Sequence, residues 1–241
     1  DLHGVIRTGE MTPDHVLSWA PQICEAIQYA HDAGIVHRDI KPANVFIDDE
    51  VTMKILRDQI GQQVHVIHRL DRPTSGVLLF ATDLEAACGL HSLFENHEVE
   101  KIYWAVADGH PAEPAWVSRQ PLIKEPSSKE QSAETEFRVL EAFPNDLALI
   151  EAKPKSGRYH QIRRHLLHAG HPIVGDYRYA GVERSDEMGQ VLGTGTRMLL
   201  QAKSLQFQHP MTKGNTLIEA VIDPALQNAI NHSRSHRRPV D

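Results

Sequence analysis

Residues 68–81 read His68-Arg69-Leu70-Asp71-Arg72-Pro73-Thr74-Ser75-Gly76-Val77-Leu78-Leu79-Phe80-Ala81. A polar stretch carrying proline and glycine gives way at Val77 to a continuous apolar run. A short run of that kind behind a turn suits a strand buried on both faces. Just upstream, Val64 and Val66 alternate with polar neighbours, the pattern of a half-buried strand. Asp83, just beyond, is placed to cap a helix running to about Asn96. Asp71, between leucine and arginine, would by itself be read as a turn or salt-bridge residue.

Further strands are expected near 98–109, 134–142, 147–152, 198–207 and 216–222. A basic helix fits 159–169, with Ile162 and Leu166 on one face and Arg163 on another. This order predicts an α+β domain with a mixed, largely antiparallel sheet. The chain has 241 residues, 41% hydrophobic and 24% charged, as in one large or two small globular domains. No apolar run is long enough to cross a bilayer, and no signal-peptide pattern opens the chain. Cys24 and Cys88 are far apart, so two reduced thiols in a cytoplasmic protein are expected; a monomer is expected as well. The chain opens on Asp1 rather than methionine, so an upstream segment is expected.

A net charge of −7 speaks weakly against a nucleic-acid partner, but its distribution does not. Between positions 153 and 178, Lys153, Lys155, Arg158, Arg163, Arg164 and Arg178 face a single acid, Asp176. Such a cluster can hold phosphates even on a mildly acidic protein. His160, His165 and His168 lie there without carboxylates or cysteines at metal-ligand spacing, so no metal is expected.

The segment at 68–81 resembles the signature of the RluA-like RNA pseudouridine synthases. Two more segments resemble the family's motifs in the same order: Glu100-Lys101-Ile102-Tyr103-Trp104-Ala105-Val106-Ala107-Asp108-Gly109, and 157–179 with its His160-Gln161-Ile162-Arg163 core. Residues 197–210 resemble the family's closing strand. Three ordered motifs carry far more weight than any one. The resemblance implies a catalytic domain over 56–225, with residues 226–241 as a disordered tail. It also implies the family's sheet, here N-terminally incomplete, and an RNA partner, with tRNA favoured over rRNA.

The resemblance also implies roles. Pseudouridine formation breaks the N-glycosidic bond of a uridine, turns the base and rejoins it through carbon. Neither a redox change nor an external energy source is involved, so no cofactor is implied. Asp71 would be the nucleophile, attacking the ribose or the uracil ring as a carboxylate. Arg163 would be its guanidinium partner. Arg69 would fill the space of a base flipped out of the stack. Tyr103 would pack on that base and assist proton transfer at C5; by itself it would be read as a core residue. Arg72, Arg158, His160, Gln161 and Arg164 would contact the RNA.

Residues 1–55 differ in kind. Thr12 and Pro13 open a helical pattern through Val16, Trp19, Ile23 and Ile27, and Gly34 is a natural stop. Then comes His37-Arg38-Asp39-Ile40-Lys41-Pro42-Ala43-Asn44, which resembles the catalytic loop of Ser/Thr protein kinases. In that family Asp39 would accept the substrate proton and Asn44 would help hold magnesium, with Lys41 between them. Too little chain precedes His37 for a nucleotide-binding lobe, and Leu56-Arg57-Asp58 stands where D-F-G is required. This piece is therefore expected to be an inactive, helical kinase C-lobe fragment. A natural fusion, a misassembled gene and an artificial chimera all fit the join near residue 50. Kinase activity and inactive RNA binding are the alternative functions.

Overall fold

Two long strands of the central sheet, Glu100–Asp108 and Leu147–Pro154, carry consecutive apolar residues, and helices cover both sheet faces. The computed structural model describes residues 37–38, 49–123 and 129–235. In chain order these form β1 (His37–Arg38), α1 (Asp49–Ile60), β2 (His65–Val66), β3 (Ser75–Gly76), β4 (Leu78–Ala81) and α2 (Leu84–Glu95). There follow β5 (Glu100–Asp108), β6 (Ala115–Ser118), β7 (Leu122–Ile123), β8 (Glu130–Gln131), β9 (Thr135–Phe143), β10 (Leu147–Pro154) and α3 (Gln161–His168). The described chain closes with α4 (Val182–Val191), β11 (Leu200–Gln208), β12 (Asn215–Glu219) and α5 (Pro224–Ser235).

The main sheet runs β12-β11-β5-β10-β9-β6, with every one of these pairings antiparallel. The two-residue β3 joins β11 in parallel. Alternation on β5 sends Ala105 and Ala107, with Tyr103, to one face, where Ile162 and Leu166 of α3 cover them. Val106 and Trp104 go to the other face, under Met188 and Leu192 of the α4 region and Leu226, Ala229 and Ile230 of α5. A fully buried side chain of this size contributes about 2 kcal/mol, so both helical layers are tied firmly to the sheet.

A smaller sheet, β1-β4-β2, lies beside it, with β4 buried along its whole length. α2 forms as expected: Asp83 caps it by accepting from the Ala86 N–H at 2.9 Å.

Two expectations need correction. The tail placed at 226–241 is helical as far as Ser235. The carboxylate of Asp223 accepts from the N–H groups of Ala225 and Leu226, Pro224 opens the helix, and Leu226, Ala229 and Ile230 are buried. The domain boundary at 55/56 falls inside the continuous helix α1. Leu56 of that helix is 1% exposed and packs with Val64, Leu78 and Phe80. The helix at 12–34 and residues Asp39, Lys41 and Asn44 lie outside the described residues.

Candidate active site

The Asp71 loop, residues 67–74, connects β2 to β3 and is fixed at both ends. The Ile67 N–H donates to the Leu79 carbonyl, the Leu79 N–H donates to His68 Nε2 at 3.1 Å, and Thr74 N–H closes a turn on the Asp71 carbonyl at 2.8 Å. Gly76 ends the loop at φ 109°, and a Cβ there would run into the Ala202 backbone on β11. Only glycine lets β3 sit this close. On its other side, Ala202 is the β5 partner of Tyr103. The loop and Tyr103 are thereby set one strand apart.

His68 serves as a fixed acceptor. Its ring stacks on Phe94 at 4.9 Å. Burial, helped by the charge of Lys101, pulls it down to about 4, so it is neutral at physiological pH.

α3 delivers the arginine. Arg163 is buried, and its Nε and Nη2 donate to the two carboxylate oxygens of Asp176 at 2.7 and 2.8 Å. Its Nη1 faces Asp71 Oδ2 at 3.4 Å. Burial opposes the charge on Arg163, yet the pairings with Asp176 and then Asp71 outweigh it and hold the group above its ordinary value. Asp176 also accepts from the backbone N–H groups of Arg178 and Tyr179. It sits in a turn begun by Gly175, at φ 76°, where a Cβ would meet the Arg197 carbonyl. A buried pair is sustained only when its remaining lone pairs are satisfied in this way.

His160, directly before α3, adopts left-handed backbone at φ 53°. Its Nδ1 lies 3.0 Å from the Tyr179 hydroxyl and its Nε2 lies 3.9 Å from Asp71 Oδ1. Burial lowers its pKa, the Asp71 charge opposes that, and Arg163 and Arg178 add to the lowering. Tyr103 is pushed up, by burial first and by the Asp71 charge second, so its phenol stays protonated. Lys101 is lowered by burial.

These groups line an open cleft of about 870 Å³, a size that suits a nucleotide. Asp71, Tyr103 and Arg163 meet in it; Arg69 and Arg72 are exposed along the Asp71 loop, and Arg158 and His160 lie opposite. Two expected RNA contacts are placed otherwise. The Gln161 side chain is 4% exposed and saturated: it accepts from Ser156 and the Arg158 N–H and donates to Glu134 and Thr135. It braces the 156–158 loop. Arg164 donates to the Ile123 carbonyl and is not part of the cleft wall. Sequence reasoning missed Asp176 as a site residue, although its position as the lone acid in a basic run was a usable signal. It also missed Tyr159, for which no signal existed.

Known proteins match in two parts. The family model for RNA pseudouridylate synthase matches residues 36–168, and that for the protein kinase domain matches residues 1–58, so the two overlap. The tRNA pseudouridine synthase C of Vibrio cholerae is 37% identical over 225 residues, covering 79% of this chain and 89% of its own. That of Haemophilus ducreyi is 36% identical over 203 residues, covering 76% and 83%. Among solved structures, human RNA Pseudouridylate Synthase Domain Containing 4 superposes with a TM-score of 0.70 at 24% identity, over 90% of this chain and 98% of that one.

Proposed function

The chain belongs to the RNA pseudouridylate synthase family and isomerises uridine to pseudouridine in RNA; on that premise we propose that its substrate is a tRNA uridine and that Asp71 is the nucleophile. The observation that carries the assignment is the meeting of Asp71 with a guanidinium that is itself held from behind by Asp176.

The proposed chemistry follows from the surroundings of each group. Arg163 Nη1 stabilises negative charge on the Asp71 carboxylate and keeps it aimed into the cleft. Tyr103, kept as a neutral phenol, presents a flat face and a hydroxyl to the extruded uracil. Its raised pKa speaks against phenolate as the resting base for the C5 proton. Arg69, exposed on the nucleophile loop, is the candidate to occupy the space the base leaves. Arg72 and Arg158 hold phosphates on either side, and His160, lowered by burial, takes part as a neutral ring.

The relatives' names favour tRNA over rRNA. A cytoplasmic monomer agrees with this reading, and no helix among the described residues is long and apolar enough to cross a membrane. The kinase-like segment is read as a relic without phosphotransfer activity. Tritium release from transcripts labelled at uridine C5 tests the assignment. Release is expected from tRNA rather than rRNA, and Asp71→Asn is expected to cut it more than about a thousandfold while RNA binding persists. Equal release by both proteins would remove Asp71 from the role, and preferential release from rRNA would overturn the substrate.

A further inference from the structure

We propose that Tyr159, stacked on His160 at the rim of the cleft, is a platform for a second RNA base, from a nucleotide next to the uridine held at Asp71. This inference rests on reading the cleft as an RNA site.

The two rings lie 3.7 Å apart between centroids and 21° from parallel. Tyr159 is 51% exposed, the only large aromatic among the strongly exposed apolar residues of the described chain. It is nonetheless fixed. Arg178 Nη1 donates to its hydroxyl at 3.2 Å, and the guanidinium carbon lies 5.7 Å from its ring centre. The ring beneath is fixed as well: His160 meets Tyr179 edge-on at 5.7 Å and shares a hydrogen bond with its hydroxyl. The stack therefore exists before any ligand arrives, and little side-chain freedom is lost on binding.

Position and charge choose the occupant. His160 Nε2 is 3.9 Å from the Asp71 carboxylate, so Tyr159 stands one ring away from the nucleophile. Arg178, whose guanidinium lies over the Tyr159 ring, and Arg158, which lines the same cleft, supply the positive charge that a phosphate backbone needs. A flat, uncharged aromatic among cations is the arrangement by which proteins hold unpaired bases, and it tolerates any base because every base has a π face. If shielding His160 were its sole task, the ring would not need to expose half its surface at the cleft mouth.

The test uses the full chain and a hairpin RNA with an all-uridine loop, with Kd measured at one fixed salt concentration. Tyr159→Ala is expected to weaken binding roughly tenfold and Tyr159→Phe by no more than about twofold. In a series of hairpins each lacking one loop base, one abasic position is expected to make wild type and Tyr159→Ala bind equally. Three results would overturn the platform: Tyr159→Ala binding like wild type, its penalty persisting in full at every abasic position, or no binding of the hairpin by wild type. Tritium release is read separately on the same hairpin. Binding that obeys the cycle without turnover would count against this RNA as a substrate and leave the platform standing.

Discussion

Asp176 grips Arg163 through two hydrogen bonds of 2.7 and 2.8 Å, leaving the third guanidinium nitrogen 3.4 Å from Asp71. The shorter contacts are the supporting ones, so the arginine is positioned from behind and offered to the nucleophile.

Asp176→Asn should therefore damage two separable properties. Removing one partner of a buried ion pair typically costs about 3–5 kcal/mol, read as a shift of the urea midpoint. Among molecules that remain folded, kcat should fall more than KM, because Arg163 loses its aim while the RNA-binding surface is intact. An unchanged kcat would mean that Arg163 is held by other contacts.

His68 makes stability depend on pH in a defined window. Its folded pKa of about 4 lies below the ordinary value of 6.5, so folding favours the neutral form. That contribution is complete above about 6.5 and is lost as pH falls from there towards 4. It amounts to a few kcal/mol at most. His68→Gln retains an acceptor for the Leu79 N–H without a titrating ring. Urea melts across this range should fall more steeply for wild type; parallel curves would exclude His68 as the source.

Leu56→Ala should destabilise the protein by about 2–5 kcal/mol, as expected for a fully buried leucine. The loss should be felt at β4, through Leu78 and Phe80, and seen as faster amide exchange there. A change below about 0.5 kcal/mol would show that α1 does not belong to the core.

No magnesium-dependent transfer of phosphate from ATP to protein is expected, and Asp39→Ala should change nothing in that assay. A kinase requires a metal-binding aspartate where this chain has the α1 helix. There Leu56 is buried and Asp58 is engaged by Arg57 at 2.7 Å. ATP-dependent labelling abolished by Asp39→Ala would reverse this view.

Much of the sheet was legible because its strands announce themselves by period. The alternation of β5, the apolar run of β4 and the Asp83 cap all appear where the residues indicate. α1 crosses the border that the two resemblances imply at residue 55, and Met53, Leu56 and Ile60 keep helical spacing while Gly61 ends the helix at φ 65°. α4 was hidden for a physical reason. It buries Ser185, Met188 and Gly189, and a Cβ on Gly189 would strike the Gly195 carbonyl, so close backbone approach replaces an apolar stripe. The site divides in the same way. Asp71, Tyr103 and Arg163 could be named from ordered motifs. The saturation of Gln161 depends on Glu134 and Thr135, distant in sequence, while the grip of Asp176 and the Tyr159–His160 stack depend on side-chain geometry that residue types alone do not encode.

Ala202 lies between Gly76 on one side and Tyr103 on the other, within a single rung of the sheet. That rung acts as a ruler: the spacing from the nucleophile loop to the aromatic wall is measured across three backbones, all of them C-terminal to residue 70. A displacement of Ala202 would therefore carry both walls with it, shifting the cleft rather than widening it.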